Sequence, residues 1–276
     1  MKELNYKMII SDFDGTLVQK NHEIGEFSKK EIANYIKNGG KFAISTGRLP
    51  VGIIPRVEEL GLKGVVSCCQ GSIIMDIESK QRILDETLSY ETTLAIVEKL
   101  EEHGMHIHLY GEWEFYSNMD DAALHAYEEA VRAKANLILD KPMSQFVKET
   151  KFRSYKIMVM VHPQDNQGYL ELFSSWNFTE CTLTKSDSTL IEFINAKNSK
   201  GTAVEFLSKY YNIPLEQVIG VGDQWNDIPM IKAAGLGIAV NNADNALKEE
   251  ADYVCEYTNN ENAIGHIIQK FGYKED

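Results

Sequence analysis

The 276-residue sequence predicts an α/β fold, a doubly wound parallel sheet with a second α/β domain inserted into it. Two observations predict the sheet. Short apolar runs end repeatedly in Asp, Ser or Gly, as strands buried on both faces do. Helical patterns alternate with those runs at both ends of the chain. A third observation predicts the insertion: from about Asp85 to Asp187 the pattern mixes helices with alternating strands. The sheet domain is therefore assigned 1–84 and 188–276, the inserted domain 85–187, with linkers near Leu84 and Ser188.

Lys7-Met8-Ile9-Ile10-Ser11 is the first strand, running into Asp12. Ser28 to Asn38 reads as a helix, with Ser28 as N-cap, Glu31 three residues on, and Ile32, Tyr35 and Ile36 on one face. Gly39-Gly40 stops it. Lys41-Phe42-Ala43-Ile44 is the second strand and Gly64-Val65-Val66-Ser67 the third, with a helix at Val51 to Leu60 between them. The tail repeats the grammar. It has a helix at Lys200 to Tyr210, a strand at Val218 to Val221, a helix at Asp227 to Ala234, a strand at Gly237 to Val240 and a helix at Asn262 to Phe271. In the middle, Ile107–Tyr110 and Glu114–Ser117 form a hairpin around Gly111, and Tyr155–Val161 and Thr179–Thr184 two further strands. Helices fall at Thr92–Glu102, Ala122–Lys134 and Gln167–Ser175.

Composition narrows the function classes. Hydrophobic residues make up 43%, enough for a core, and the net charge is −13. That balance argues against a broad nucleic-acid or anionic-membrane surface, which needs clustered positive charge. Cys68, Cys69, Cys181 and Cys255 form no C-x-x-C pair and fit no zinc module, so buried thiols are expected. The polar start and the lack of a spanning apolar run point to a cytoplasmic protein.

Four segments carry chemistry. In Asp12-Phe13-Asp14-Gly15-Thr16-Leu17, two carboxylates two residues apart on an extended segment can face one site, and Gly15 lets the backbone turn. One carboxylate is a competent nucleophile towards phosphorus, and the other can protonate a leaving alkoxide. In Ser45-Thr46-Gly47-Arg48, the Thr46 hydroxyl and the Thr46-Gly47 backbone can cradle phosphate oxygens. Arg48 either binds substrate or pairs with an acid. Lys200 opens a helix at Ser199-Lys200-Gly201-Thr202, where an ammonium can neutralise nucleophile and phosphate. Lys197 is its rival. In Gly222-Asp223-Gln224-Trp225-Asn226-Asp227, Asp223 and Asp227 can join Asp12 as hard oxygen ligands for magnesium. Asn226 either bonds a phosphate oxygen or orients Asp227.

In this order the segments resemble the haloacid dehalogenase-like phosphohydrolases, specifically the Cof-type group with a large α/β cap. The resemblance implies a Rossmann-like core, Asp12 as nucleophile, Asp14 as general acid/base, and Thr46 and Lys200 as phosphate ligands. It implies a magnesium ion on a carboxylate oxygen of Asp12, the Asp14 carbonyl and Asp223, with Asp227 close by or reached through water. The chain departs from the pattern at Gln70-Gly71-Ser72, where Asn-Gly-Ala is frequent, and at Gln224-Trp225, where short residues are usual. Both departures bear on the substrate pocket. The expected activity is a magnesium-dependent phosphatase acting on a small phosphorylated metabolite. Transfer of the phosphoryl group to a second hydroxyl, and phosphate binding without turnover, are the alternatives. Candidate leaving-group contacts on the inserted domain are His106, His108, Tyr110, Trp113, Arg153 and Lys156, set against plain packing of that domain's own core. Oligomeric state is not legible.

Overall fold

A computed structural model describes residues 2–274. The chain opens with β1 (Met8–Ser11), α1 (Glu26–Lys37), β2 (Lys41–Ser45), α2 (Pro50–Glu59) and β3 (Val65–Cys68). Two strands not expected from sequence follow, β4 (Ile73–Asp76) and β5 (Arg82–Asp85). The middle runs α3 (Tyr90–Glu102), β6 (His106–Tyr110), β7 (Phe115–Ser117), α4 (Ala122–Val131), β8 (Ala135–Leu137), α5 (Met143–Thr150), β9 (Lys156–Met160), α6 (Asn166–Ser175), β10 (Cys181–Asp187) and β11 (Leu190–Asn195). The tail is α7 (Lys200–Tyr211), β12 (Val218–Gly222), α8 (Ile228–Ala233), β13 (Leu236–Ala239), α9 (Asn245–Glu250), β14 (Tyr253–Val254) and α10 (Ala263–Phe271).

These strands form two sheets. The first has eight, in the order β14-β13-β12-β1-β2-β3-β4-β5. It is parallel from β14 to β3, and the hairpin β4–β5 adds an antiparallel edge. Alternate residues of β1 feed opposite layers: Ile9 packs with Ile32, Ile53 and Ile264, whereas Met8 and Ile10 pack with Val204, Leu207 and Met230. Helices therefore cover both faces, as expected for a doubly wound, Rossmann-like core. The second sheet has six strands, β10-β11-β9-β6-β7-β8, antiparallel except at β7–β8.

Two sequence expectations need correction. Ser28 does not cap α1; the helix begins two residues earlier, at Glu26, behind Gly25. The buried Ser28 hydroxyl instead accepts the Gly265 N–H, tying α1 to α10. The linker expected near Ser188 is the turn of a hairpin: β10 and β11 pair across it, with Lys185 opposite Ile191. The chain re-enters the first sheet's layer only after Asn195. On the other side, Leu84 lies inside β5, so the exit falls after Asp85.

Candidate active site

The site lies where β1, β2 and β12 end, at the carboxyl edge of the parallel sheet. β1 and β12 are adjacent and in register, Ser11 opposite Val221, so Asp12 and Asp223 emerge side by side. The Asp12 N–H bonds the Val221 carbonyl and fixes the point at which the strand breaks. Gly15 adopts φ +74°, and a Cβ there would run into the Asp223 carboxylate. The turn needs glycine for both reasons.

Lys200 is fully buried and joins two carboxylates. Its Nζ donates to Asp12 Oδ1 at 2.7 Å and to Asp227 Oδ1 at 2.5 Å. The lysine sits in the first turn of α7 behind the Ser199 cap, whose hydroxyl accepts the Thr202 N–H. Lys197 makes no such contact. Asp227 is spent on scaffolding: its Oδ2 accepts the N–H groups of Asp223 and Gln224. Asp223 Oδ1 accepts a hydrogen bond from Thr16 at 2.6 Å, a contact the sequence reading did not assign. One carboxylate oxygen from each of Asp12, Asp223 and Asp227 lies within 4.8 Å of the others. Burial, then the repulsion of Asp227, pushes Asp12 well above the usual carboxylate range. The same causes push Asp223 up to about 7. Three buried carboxylates face one ammonium, so the cluster lacks positive charge. Hard carboxylate oxygens suit a divalent cation such as magnesium.

Asp14 points elsewhere in the same cleft. Arg48 grips it with two bonds, Nε to Oδ2 at 2.6 Å and a terminal nitrogen to Oδ1 at 2.8 Å, and also reaches the Ala130 carbonyl. Of the two readings of Arg48, the structure displays the acid pair. The Thr46 N–H is taken by Ser67, and the Arg48 N–H by the Thr46 hydroxyl. The cradle thus offers the Thr46 O–H and the Gly47 N–H rather than a run of free amides. Asn226 bonds neither Asp227 nor Asp12; its Nδ2 donates to Gln70, and its buried Oδ1 has no partner.

A second buried ion pair joins the two sheets. Lys156 Nζ donates to Glu192 Oε1 at 2.7 Å and to the Gly47 carbonyl at 2.9 Å, and lies over the Tyr110 ring. Glu192 Oε2 accepts from Gln70 at 2.7 Å, and Ser186 donates to Oε1. Gln70 is thus the hub between Asn226 and Glu192, a reach that a shorter amide would not have. Of the candidate contacts on the second sheet, Lys156 lines the cleft. His106, His108 and Tyr110 are buried on the sheet's inner face, and Trp113 and Arg153 are exposed away from it. The cleft holds a cavity of about 380 Å³ lined by Asp12, Asp14, Thr46, Gly47, Arg48, Lys156, Glu192, Lys200, Asp223 and Asn226. All four cysteines are free, with Cys181 half-buried and the others buried. Among the described residues no helix is long and apolar enough to cross a membrane.

The first sheet is Rossmann-like, and the cleft at its carboxyl edge gathers three carboxylates and a buried lysine. A family model described as haloacid dehalogenase-like hydrolase matches residues 9–268. The chain belongs to that haloacid dehalogenase-like hydrolase family. It is 27% identical to a putative phosphatase of Haemophilus influenzae, over 96% of this chain and 98% of the relative. It is 27% identical to the phosphatase YwpJ of Bacillus subtilis, over 95% and 99%, and 26% identical to the pyridoxal phosphate phosphatase YbhA of Escherichia coli, over 90% and 92%. A solved haloacid dehalogenase-like hydrolase from Bacillus subtilis superposes with a TM-score of 0.86 at 24% identity, covering 95% of this chain and 99% of that one.

Proposed function

We propose that the protein is a magnesium-dependent phosphatase that hydrolyses small phosphomonoesters through an aspartyl phosphate on Asp12. One observation carries the reading: Asp12 and Asp227 share the buried ammonium of Lys200 while Asp223 stands beside them with no ion-pair partner among the described residues. The named activities of the relatives support it.

With Lys200 on Asp12 Oδ1, the other carboxylate oxygen is left to attack phosphorus. The new P–O bond forms as the bond to the leaving oxygen breaks. Asp14 gives its proton to that oxygen, releasing the alcohol. It then takes a proton from water, which attacks the aspartyl phosphate, frees inorganic phosphate and restores Asp12. For this, Asp14 must leave the Arg48 clamp and turn into the cleft. The Thr46 hydroxyl and Gly47 N–H bind phosphoryl oxygens, and Lys200 offsets their charge. Magnesium, held by Asp12, Asp223 and the Asp14 carbonyl, would supply charge neutralisation at the phosphoryl group. Asp227, with both oxygens engaged by Lys200 and backbone, positions Asp223 and Lys200 rather than the ion.

The test is phosphate release from a panel of phosphorylated metabolites, with magnesium and with chelator. Magnesium-dependent release favouring a few members is expected. Absence of release from folded, magnesium-loaded protein would overturn the reading.

The carboxylate cluster also makes metal binding pH-dependent. Asp12 and Asp223 have folded-state pKa values raised above the unfolded value of about 3.9. The folded state therefore holds protons that the unfolded chain has lost, and the metal-free protein loses stability as pH rises from about 4 through about 7. Magnesium takes the place of those protons. The rise in Tm produced by magnesium should be larger at pH 8 than at pH 5; an equal rise at both would show that these carboxylates do not hold the ion.

A further inference from the structure

We propose that the leaving group of the substrate runs out of the cleft along a trough between α4 and the inner face of the six-stranded sheet. The preferred substrate is then a phosphomonoester of a long, neutral or cationic alcohol with an aromatic or apolar distal part. The inference rests on the phosphatase reading and specifies its substrate.

The cavity at Asp12 is not closed at its outer end. A second cavity, of about 630 Å³, adjoins it, and Tyr127, Asp187 and Leu190 line both. One face of α4 forms the wall of the pair. Ala130 and Val131 line the inner cavity, Tyr127 both, and Ala123 and Ala126 the outer. These positions recur every three or four residues, as one helical face requires, and three are alanines, which keep the channel wide.

The pleat of the sheet supplies the floor. Glu192 lines the inner cavity, and Leu190, two residues back on β11, lines both. Leu190 lies opposite Met160 on β9, and Met160 opposite His106 on β6, so the floor continues across strands. From Ala130 to Ala123 the wall runs roughly 10 Å at the helical rise per residue. A two- or three-carbon alcohol anchored at Asp12 would not reach the outer end.

Charge divides the trough. Arg48, Lys156 and Lys200 line the inner cavity. No Lys or Arg lines the outer one among the described residues, where the charged groups are Asp121, Asp165 and Asp187 with three histidines. Asp187 takes its hydrogen bonds from Ser188 and Thr189 on Oδ1, leaving Oδ2 for a hydroxyl or amine donor. A second phosphate there would meet three carboxylates and, among the described residues, no Lys or Arg. Met160, Leu190 and Tyr127 offer apolar and aromatic surface to a ring.

The test uses Ala126→Trp and, separately, Ala123→Trp, exposed positions that fill the outer cavity and touch none of the reacting groups. With magnesium, kcat/KM is measured for p-nitrophenyl phosphate, glycerol 3-phosphate, adenosine 5′-monophosphate, flavin mononucleotide and adenosine 3′,5′-bisphosphate. At least one of the two esters of long neutral alcohols, adenosine 5′-monophosphate and flavin mononucleotide, is expected to exceed glycerol 3-phosphate by roughly tenfold or more, and the bisphosphate to fall below the monophosphate. Each Trp variant should lower turnover of the long ester by roughly tenfold while p-nitrophenyl phosphate stays within about twofold. Long esters no better than glycerol 3-phosphate, or Trp variants that affect all substrates alike, would overturn the trough. Failure of wild type on p-nitrophenyl phosphate would count against the phosphatase reading itself. The trough is then decided by flavin fluorescence titration of Asp12→Asn protein: binding of flavin mononucleotide weakened by Ala126→Trp supports it, and unchanged or absent binding sinks it.

Discussion

Asp12→Asn is expected to abolish phosphate release, by roughly three orders of magnitude or more, without unfolding the protein. The two consequences have separate causes. An amide oxygen is a poor nucleophile, so no aspartyl phosphate forms and the alternative route through water retains only the binding contribution of the site. The fold, by contrast, loses a liability. Asp12 is almost fully buried and shares one ammonium with Asp227. Asn is isosteric, can still accept from Lys200, and removes one of three crowded negative charges. In the absence of metal the variant should therefore melt at or above the wild-type temperature near pH 8. The magnesium-induced rise in Tm should shrink, because an oxygen ligand has lost its charge. Turnover near the wild-type rate would remove Asp12 from the nucleophile's role. Loss of activity accompanied by a large fall in Tm would leave the assignment without support, and Asp12→Ser would then have to show the same loss in a stable protein.

The second large effect lies between the two sheets. Lys156→Met is expected to destabilise the protein by about 3–5 kcal/mol, because it strands Glu192, fully buried, without its cation. For a chain of this size that corresponds to a fall in Tm on the order of 10 °C. Glu192→Gln alone should cost a similar amount by stranding Lys156. Burial acts to lower the Lys156 pKa, yet Glu192 and the neighbouring tyrosine and cysteine hold it above its ordinary value, so the lysine is charged where it sits. The double variant should recover a large part of the loss, which a double-mutant cycle would read directly. Since Lys156 also holds the Gly47 carbonyl, the single variant should raise KM through a looser phosphate cradle. Additive single-variant losses would show that the pair is not coupled.

The gathering of the site residues was more legible in the sequence than the joinery. Asp12, Lys200, Asp223 and Asp227 could be read because each stands at a strand end or helix start, where parallel sheets present side chains to a common edge. Glu192 was missed although its signal is plain: one acid within Leu190-Ile191-Glu192-Phe193-Ile194, an apolar run with strand-like composition. The stretch before it, Ser188-Thr189, resembles a linker, and only the pairing of β10 with β11 turns it into a hairpin. Gln70 stood out as an unusual residue, but its reach to Glu192 and Asn226 depends on how the two sheets meet, which no local pattern encodes. The hairpin of β4 and β5 escaped for a similar reason: its outer strand is short and only partly buried, so its pattern is weak. Ser28 is the opposite case, a good capping residue used for a tertiary contact instead.

The placement of β12 beside β1 has a consequence in time. Asp12 and the lysine that serves it are 188 residues apart in sequence, with the whole second sheet made between them. Closing so long a loop carries a high entropic cost, and parallel pairing of this kind forms slowly. On the ribosome, the first strands and the six-stranded sheet emerge before α7 and β12 exist. A nascent chain truncated before Lys200 has Asp12 without the Lys200 ammonium or the Asp223 carboxylate beside it. The site is thus completed late in synthesis, when the central strand β1 acquires β12 as its second neighbour.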